Sequence, residues 1–206
     1  MVIHKKEKKE RALGEKLFLK AFRSQSPKSA MIRRPYRPGV HGKSRHTTSD
    51  YGAQLKAKQK LKLSYGVNEH QLKKVVREAV GIRGNTAYKI LELLEQRLDN
   101  AVFRSGLAPS RIMARNFVSR GHLMVNGRKT VSPSFKVRIG DVISVRMESR
   151  EKNMFRDLRE SLEKATSAPT WLSVTPDKLE AKITGLPQGV EETLFNVGAV
   201  VEFYSK

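Results

Sequence analysis

The distribution of positive charge is the feature that most limits how this chain can fold. The first 62 residues carry 18 Lys and Arg against 4 Asp and Glu, and they also contain three prolines. Such a segment repels itself and has too few apolar side chains to bury a core, while proline and glycine interrupt helices. We therefore predict an extended basic arm over residues 1–45 that becomes ordered when a polyanionic partner binds; the alternative is a solvated flexible tail.

The net charge also predicts the class of partner. The whole chain has a formal net charge of +21 at pH 7. A polyanion relieves the self-repulsion of this surplus, and each phosphate that pairs with Lys or Arg releases a condensed counterion. Nucleic acid is therefore the predicted partner. A membrane is not, because no apolar run approaches bilayer length and no basic amphipathic helix carries bulky apolar anchors.

Helical periodicity begins after the arm. Residues 51–63 contain few helix breakers, and Asn68 with Gln71 three positions later predicts a capping box at the start of the next helix. Thr86 is predicted to cap a third helix, whose apolar stripe belongs to the core. Another helix is predicted to start at Ser110.

β signals dominate the rest of the chain. Residues 123–125 predict a strand, and Asn126-Gly127 predicts a type I′ hairpin turn because both positions need a positive φ. The remaining predicted elements are strands at 135–139, 142–145, 171–174 and 179–183, a short charged helix at 149–167, and a segment at 194–204 that is either helix or strand.

Catalytic and metal-binding motifs are missing from the sequence. The chain contains no cysteine, and its five histidines lack metal-ligand spacing, so neither disulfides nor a zinc site is expected. Walker-type, dinucleotide-binding and nucleophile-elbow motifs do not occur, and no acidic residue forms an acid–base couple. We therefore predict a protein that is not an enzyme and has no cofactor. The charged start without an apolar signal core favours a cytoplasmic location.

Residues 97–145 resemble the S4 RNA-binding domain. The resemblance rests on RLD at 97–99, SR at 110–111, SRGH at 119–122, VNG at 125–127 and VRIGDV at 137–142. Motifs on either side extend it: RR at 33–34, RPGVHG at 37–42, SDYG at 49–52, KQKL at 58–61, YGV at 65–67 and VEFYSK at 201–206. Over residues 14–206 the chain resembles the bacterial small-subunit ribosomal protein S4 family.

The resemblance implies an α+β fold, with an S4-type domain inserted into a helical domain that the N-terminal region and the C-terminal tail form together. The expected domains are the basic arm 1–45, ordered mainly on RNA; a helical domain of 46–95 plus 190–206; an S4 RNA-binding domain at 96–156, with two short helices on a small antiparallel sheet; and the remaining strands and connections at 157–189. The apolar tail at 197–203 is expected to cover helices of residues 68–95.

One departure from the family concerns zinc. Many members carry a four-cysteine zinc site near the N-terminus, and the corresponding positions here hold Glu7, Glu10, Ser24 and Ser29. Serine hydroxyls are poor zinc ligands, so we expect a version without zinc. RNA contacts alone would then order the arm, which predicts disorder of about residues 1–45 in the free protein.

The family resemblance also implies a function. A member is a structural constituent of the small ribosomal subunit that binds 16S-type rRNA directly and acts early in assembly. It lies near the channel through which mRNA enters, beside ribosomal proteins S3 and S5, and some members repress translation of their own message. No homo-oligomer is expected. Two rival hypotheses are an RNA-modifying enzyme and a free-standing regulator or chaperone that acts on stalled ribosomes or tRNA.

Candidate RNA contacts are the basic residues of the arm and of the S4-like segment. Guanidinium groups suit paired phosphate oxygens, and folded RNA is recognised mainly by shape, phosphates and 2′-hydroxyls. The predicted contacts are Arg33, Arg34, Arg37, Lys43, Arg45, Lys56, Lys58, Lys60, Arg104, Arg111, Arg115, Arg120, His122, Arg128 and Lys129. Arg97 is instead expected to pair with Asp99 or another neighbour, and Phe103, Phe117 and Phe135 are expected in the core.

Overall fold

The structure, a computed structural model, describes residues 6–20, 23–24, 26–44, 47–156, 158, 162, 169–187 and 195–205. The chain divides into two compact units. The first comprises Met1–Leu91 with Glu191–Lys206, and the second comprises Glu92–Val190. The described residues combine helices with one antiparallel sheet, which confirms the predicted α+β class.

Helices build the first unit. They are α1 (Lys6–Leu13), α2 (Ala30–Arg33), α3 (Asp50–Tyr65), α4 (Glu69–Val80), α5 (Thr86–Glu95), which begins in this unit, and α10 (Val197–Ser205). The side chain of Ser49 caps α3 by accepting a hydrogen bond from the Gly52 amide at 3.2 Å. Gly66 ends the helix with a positive φ of 64°, which glycine adopts without strain.

The predicted capping box is confirmed. The Gln71 amide donates to Asn68 Oδ1 at 2.7 Å, and the Asn68 amide donates to Gln71 Oε1 at 3.1 Å. The predicted cap at Thr86 is wrong by one position. Asn85 Oδ1 accepts from the Ala87 amide at 2.9 Å, and Thr86 is the first helical residue. Asparagine is the stronger capping residue, which accounts for the shift.

The C-terminal segment that the sequence left open is the helix α10. It packs mainly on α3, where the rings of Tyr51 and Phe203 are 5.7 Å apart, and buries Val197 and Val200. We expected this tail to cover helices of residues 68–95. That expectation is wrong about the main partner, because the helix on which α10 mainly packs, α3, lies outside that range. Periodicity shows which face of a helix is apolar but does not identify the neighbour that covers it.

A cluster of polar groups joins the end of α10 to α3 and α4. Glu69 Oε1 accepts hydrogen bonds from the Tyr204 hydroxyl at 2.6 Å and from Lys58 Nζ at 3.0 Å, while Oε2 accepts from Lys62 Nζ at 2.9 Å. Partial burial raises the pKa of Glu69, but the three hydrogen bonds and the Lys58 charge outweigh it and lower the pKa to about 2. Burial and the nearby Glu69 carboxylate raise the pKa of Tyr204.

This cluster is expected to make the docking of α10 sensitive to acid. The pKa of Glu69 falls from 4.5 to about 2 on folding, so its stabilising contribution is complete above pH 4.5 and disappears as the pH falls towards 2. We expect the urea unfolding midpoints of the wild type and of Glu69→Gln to differ at pH 6 and to approach each other as the pH falls from 4.5 to 2. A difference that is independent of pH would contradict this assignment.

The second unit is built on a five-stranded antiparallel sheet. The strands are β1 (Leu123–Val125), β2 (Arg128–Lys129), β3 (Val142–Val145), β4 (Leu172–Thr175) and β5 (Glu180–Ile183), in the order β2-β1-β3-β5-β4. The helices are α6 (Leu98–Arg104), α7 (Arg111–Ser119), α8 (Met147–Arg150) and α9 (Asn153–Arg156). Side chains from α6, α7 and the sheet form one apolar core, in agreement with the predicted pair of helices on a small sheet.

The predicted hairpin turn is present. Asn126 and Gly127 have φ values of 50° and 75°, as a type I′ turn requires. The Asn126 side chain also links the turn to β3, since its Oδ1 accepts from the Val142 amide and its Nδ2 donates to Asp141 Oδ1, both at 2.9 Å. This local geometry holds the basic hairpin in one conformation.

The predicted strand at 135–139 is wrong, because its backbone bonds go elsewhere. The Leu98 amide donates to the Phe135 carbonyl at 2.8 Å, and the Val137 amide donates to the Gln96 carbonyl at 2.9 Å. A single bridge, between Arg97 and Lys136, is all the β pairing that this described segment makes. Phe135 is 40% exposed, so its predicted core position is also wrong.

The charged helix predicted at 149–167 is confirmed at most of its described positions, including Leu158 and Leu162, with a break at 151–152. Among the described residues, the short helices α8 and α9 cover its beginning. Residues 157, 159–161 and 163–168 lie outside the described part of the chain. The helices that the structure describes are all too short or too polar to cross a membrane.

Candidate nucleic-acid interface

Basic side chains of the arm lie close to α1 and α2. Arg33 ends α2, and Arg34 and Lys43 follow it; all three are exposed, whereas Arg37 is half-buried. Arg45 was predicted as a contact and lies outside the described residues. The exposed side chains have room for phosphate groups.

A cleft in the first unit brings two predicted contacts together. Arg37 from the arm and Lys56 from α3 line the same cleft of about 410 Å³, whose wall includes Pro38 and Leu55. The two cations are 19 positions apart in sequence and meet because α3 packs beside the arm. Positive charges that line a cleft with apolar walls concentrate the electrostatic field there.

Two further predicted contacts on α3 have partners inside the first unit. Lys58 is 7% exposed, and its Nζ lies 3.0 Å from Glu69 Oε1 and 4.0 Å from the centroid of the Phe203 ring. Lys60 pairs with Glu15, and its Nζ lies 5.6 Å from the centroid of the Phe195 ring. These partners favour a structural role for Lys58, and its contact with RNA stays a prediction.

Arginines of the second unit surround a buried carboxylate. Glu95 is 0% exposed and accepts two hydrogen bonds from Arg104, from Nε and Nη2, both at 2.9 Å. Arg111 Nη2 lies 3.7 Å from Glu95 Oε1, and its Nε donates to Asn100 Oδ1 at 2.6 Å. Its guanidinium also covers the ring of Phe103 at 4.6 Å. The Glu95 carboxylate therefore holds both Arg104 and Arg111, two of the predicted RNA contacts, in orientation.

A second buried carboxylate organises the neighbouring pair. Arg97 donates from Nε and Nη2 to the two oxygens of Asp99, at 3.1 and 2.8 Å, which confirms its expected pairing. Arg115 Nη1 lies 3.8 Å from the same carboxylate. The four arginines of this group outnumber its two carboxylates, so a positive surplus remains along α6 and α7; the members are Arg97, Arg104, Arg111, Arg115, Glu95 and Asp99.

The hairpin end of the second unit carries exposed cations. Arg120 follows α7, and Arg128 and Lys129 form β2; all three are exposed. Lys136 and Arg138, which were not among the predicted contacts, are also exposed, on the connection to β3. A loop that binds helix ends, as this one does, leaves such side chains directed outward.

His122, another predicted contact, is part of the core. It is 8% exposed, its Nδ1 lies 3.0 Å from Ser149 Oγ, and its ring meets that of Phe155 edge-on at 5.8 Å. Burial lowers the pKa of His122, and the charges of Lys152, Arg120 and Arg146 lower it further. A buried neutral imidazole fits a structural role better than a phosphate contact, and the contact of His122 with RNA stays a prediction.

Reasoning from the sequence missed Glu95 as an organising residue. A signal existed, because Glu95 lies four positions after Leu91 and three before Leu98, both buried, so the sequence pattern places it in an apolar stripe. A carboxylate in that position needs charged partners, and Arg104 and Arg111 supply them.

Within the described residues, no group of three or more acidic or histidine side chains is arranged to hold a metal.

Comparisons with known proteins agree over nearly the whole chain. Residues 1–95 match the family model of the ribosomal protein S4/S9 N-terminal domain, and residues 96–143 match that of the S4 domain. The chain is 45% identical over 199 residues to small ribosomal subunit protein uS4 of Gloeobacter violaceus, covering 95% of this chain and 94% of that protein. It is 46% identical to uS4 of Halothermothrix orenii and 44% identical to uS4 of Thermus thermophilus, each match covering 94% of this chain and 93% of the relative.

Proposed function

Because this chain belongs to the family of small ribosomal subunit protein uS4, we propose that it binds small-subunit rRNA through exposed cations on both of its units. Members of this family are ribosomal structural proteins, so the chain is not an enzyme, and its place is the cytoplasmic ribosome. The proposed mechanism is recognition of phosphates and shape, without chemistry on the RNA.

The observation that carries this proposal is the contrast between exposed and buried cations. The cations best placed for phosphates are Arg33, Arg34, Lys43, Lys56, Arg120, Arg128 and Lys129. Arg37, Arg104, Arg111 and Arg115 are half-buried and would offer one edge of each guanidinium. Exposed cations keep their hydration until a phosphate replaces it, whereas a buried, paired cation such as Lys58 would first have to break an internal contact.

We further propose a role early in assembly of the small subunit. Two units that each carry cations can engage separate segments of one RNA and limit their relative motion. The family resemblance supports a position near the channel where mRNA enters, beside ribosomal proteins S3 and S5, and repression of its own message is a second candidate function. The domain division stays part of the proposal. The described residues of the arm 1–45 already include α1 and α2, with Glu10 and Leu13 buried, so we propose that RNA stabilises this arrangement.

Association with ribosomes in cells is the first expected result. In a native lysate separated on a sucrose gradient, the protein should sediment with small subunits at one copy per subunit, because a structural constituent is stoichiometric. Chemical footprinting on purified 16S-type rRNA would then locate the protected nucleotides. A protein found mainly in the free fraction would instead favour the free-standing regulator.

A further inference from the structure

The basic loop at residues 34–44 lacks regular structure although it carries several predicted RNA contacts. All of its residues are described, and none lies in a helix or strand. An irregular loop presents its cations in a defined order only if other groups satisfy and fix its backbone. The side chain of Arg11, on α1, does this.

Arg11 binds three carbonyl groups of the loop backbone within four residues. Its Nε donates to the carbonyls of Arg34 and Tyr36, both at 3.0 Å, and its Nη2 donates to the carbonyl of Arg37 at 3.4 Å. Arg34 and Arg37 are themselves predicted phosphate contacts. One guanidinium therefore determines the backbone path between two candidate contacts.

The ring of Tyr36 extends this contact to the far end of the loop. Arg11 Cζ lies 5.1 Å from the centroid of the ring, and Lys43 Nζ lies 5.2 Å from it. Cations over an aromatic face are attracted by its quadrupole. Arg11 and Lys43 are thus both held at the same ring, which ties the beginning and the end of the loop together.

Gly42 independently indicates that the loop is closed tightly. A Cβ atom at position 42 would lie 1.9 Å from the Arg37 carbonyl oxygen, the same oxygen that accepts from Arg11. The Gly42 amide also donates to the Gly39 carbonyl at 3.3 Å. The backbone therefore approaches itself closely at the point where Arg11 holds it.

The helix that carries Arg11 is itself anchored. Its neighbour Glu10 is buried, and Glu10 Oε1 accepts from the amides of Leu17 and Leu19 at 3.2 and 3.0 Å. Leu13, at the end of α1, is buried as well. Arg11 therefore extends from a fixed base.

We propose that Arg11 is a positioning residue for RNA binding. Its guanidinium donates to carbonyls of the loop backbone and thereby holds Arg34, Arg37 and Lys43 in place for contact with the RNA. This inference rests on the proposed RNA-binding function. A planar guanidinium can reach several carbonyls from a single side chain, and lysine, a compact point charge, does not reproduce this geometry. The competing explanation is that Arg11 itself contacts a phosphate.

Binding of an rRNA fragment to Arg11→Lys and Arg11→Gln separates the two explanations. If Arg11 positions the loop, both variants lose affinity, and the log–log salt slope falls by roughly two units because several loop cations disengage. If Arg11 instead contacts a phosphate directly, Arg11→Lys should bind nearly as well as the wild type. Arg11→Gln should then lower the log–log salt slope by about one unit. Lys8→Gln, which removes an exposed charge from the same helix, is the matched control and should cost at most about one unit.

A double-mutant cycle provides the second test. In the background Arg34→Gln/Arg37→Gln/Lys43→Gln, adding Arg11→Gln should weaken binding by less than twofold, because the cations that it positions are already gone. Those substitutions keep the carbonyls that Arg11 binds. An undiminished loss in this background would overturn the proposal in favour of a direct contact.

Hydrogen exchange of the free protein tests the contact without RNA. Arg11→Lys should raise exchange at residues 36–44 and leave α3 and α4 protected, whereas unchanged exchange in the loop would contradict the proposal. A wild-type protein that does not bind rRNA would refute the proposed function. If the wild-type protein binds rRNA and Arg11→Lys binds it equally well, only the positioning role would be refuted.

Discussion

Replacing Glu95 with glutamine is expected to lower the free energy of unfolding of the second unit by about 3 kcal/mol. Glu95 is fully buried and faces Arg104 and Arg111, while Asn100 donates to it as well. Glutamine keeps the size of the side chain but removes the negative charge. The two guanidinium groups then lose the negative charge that lies between them, and breaking a buried pair in this way costs more than the pair contributes.

Equilibrium urea unfolding, followed by the fluorescence of Trp171 in the core of the second unit, measures this loss. The control is Glu148→Gln, which removes an exposed carboxylate paired with Arg146 and should change stability by no more than about 0.5 kcal/mol. Equal effects of the two substitutions would show that Glu95 does not organise the arginines. Bound rRNA should recover part of the loss, because phosphates supply the missing negative charge and binding stabilises the folded state.

Removal of the hairpin cations is expected to weaken rRNA binding about 100-fold at physiological salt. Each phosphate contact contributes about 0.7 to 0.9 units to the log–log salt slope, so the triple variant Arg120→Gln/Arg128→Gln/Lys129→Gln should lose roughly two units. All three side chains are exposed, and the hairpin backbone that carries two of them is held by Asn126, so the fold should survive.

A variant with the same change in net charge distinguishes a defined surface from general attraction. Lys73→Gln/Lys74→Gln/Arg77→Gln removes three exposed cations of α4 that lie outside the proposed interface. We expect it to retain most of the affinity, as measured by filter binding between 50 and 300 mM salt. Equal losses in the two triple variants would mean that net charge, and not the proposed surface, governs binding.

Local signals account for the predictions that proved correct. The capping box at Asn68 and Gln71 and the turn at Asn126-Gly127 depend on residues within four positions of one another, so the sequence contains the whole interaction. The same holds for the pairing of Arg97 with Asp99. The order of domains came only from the family resemblance, because no local pattern contains it, and it stays a prediction.

Local sequence patterns were insufficient where distant residues compete for the same groups. The segment at 135–139 has strand-like residues, but the ends of α5 and α6 take its backbone hydrogen bonds. Lys58 and His122 look like any other basic residues in the sequence, yet Glu69 and Ser149, 11 and 27 positions away, bind them in the interior. The sequence does not show which basic side chains are buried by internal partners such as Glu69 and Ser149.

The sequence by itself determined that this chain is a basic, cysteine-free RNA-binding protein with helical and β segments in a given order, because charge, periodicity and turn residues are properties of neighbouring positions. Only the tertiary structure decided which cations face solvent, which acids hold the arginines and where α10 docks. Those outcomes depend on packing between elements far apart in the chain, where the cost of burying a charge selects its partner.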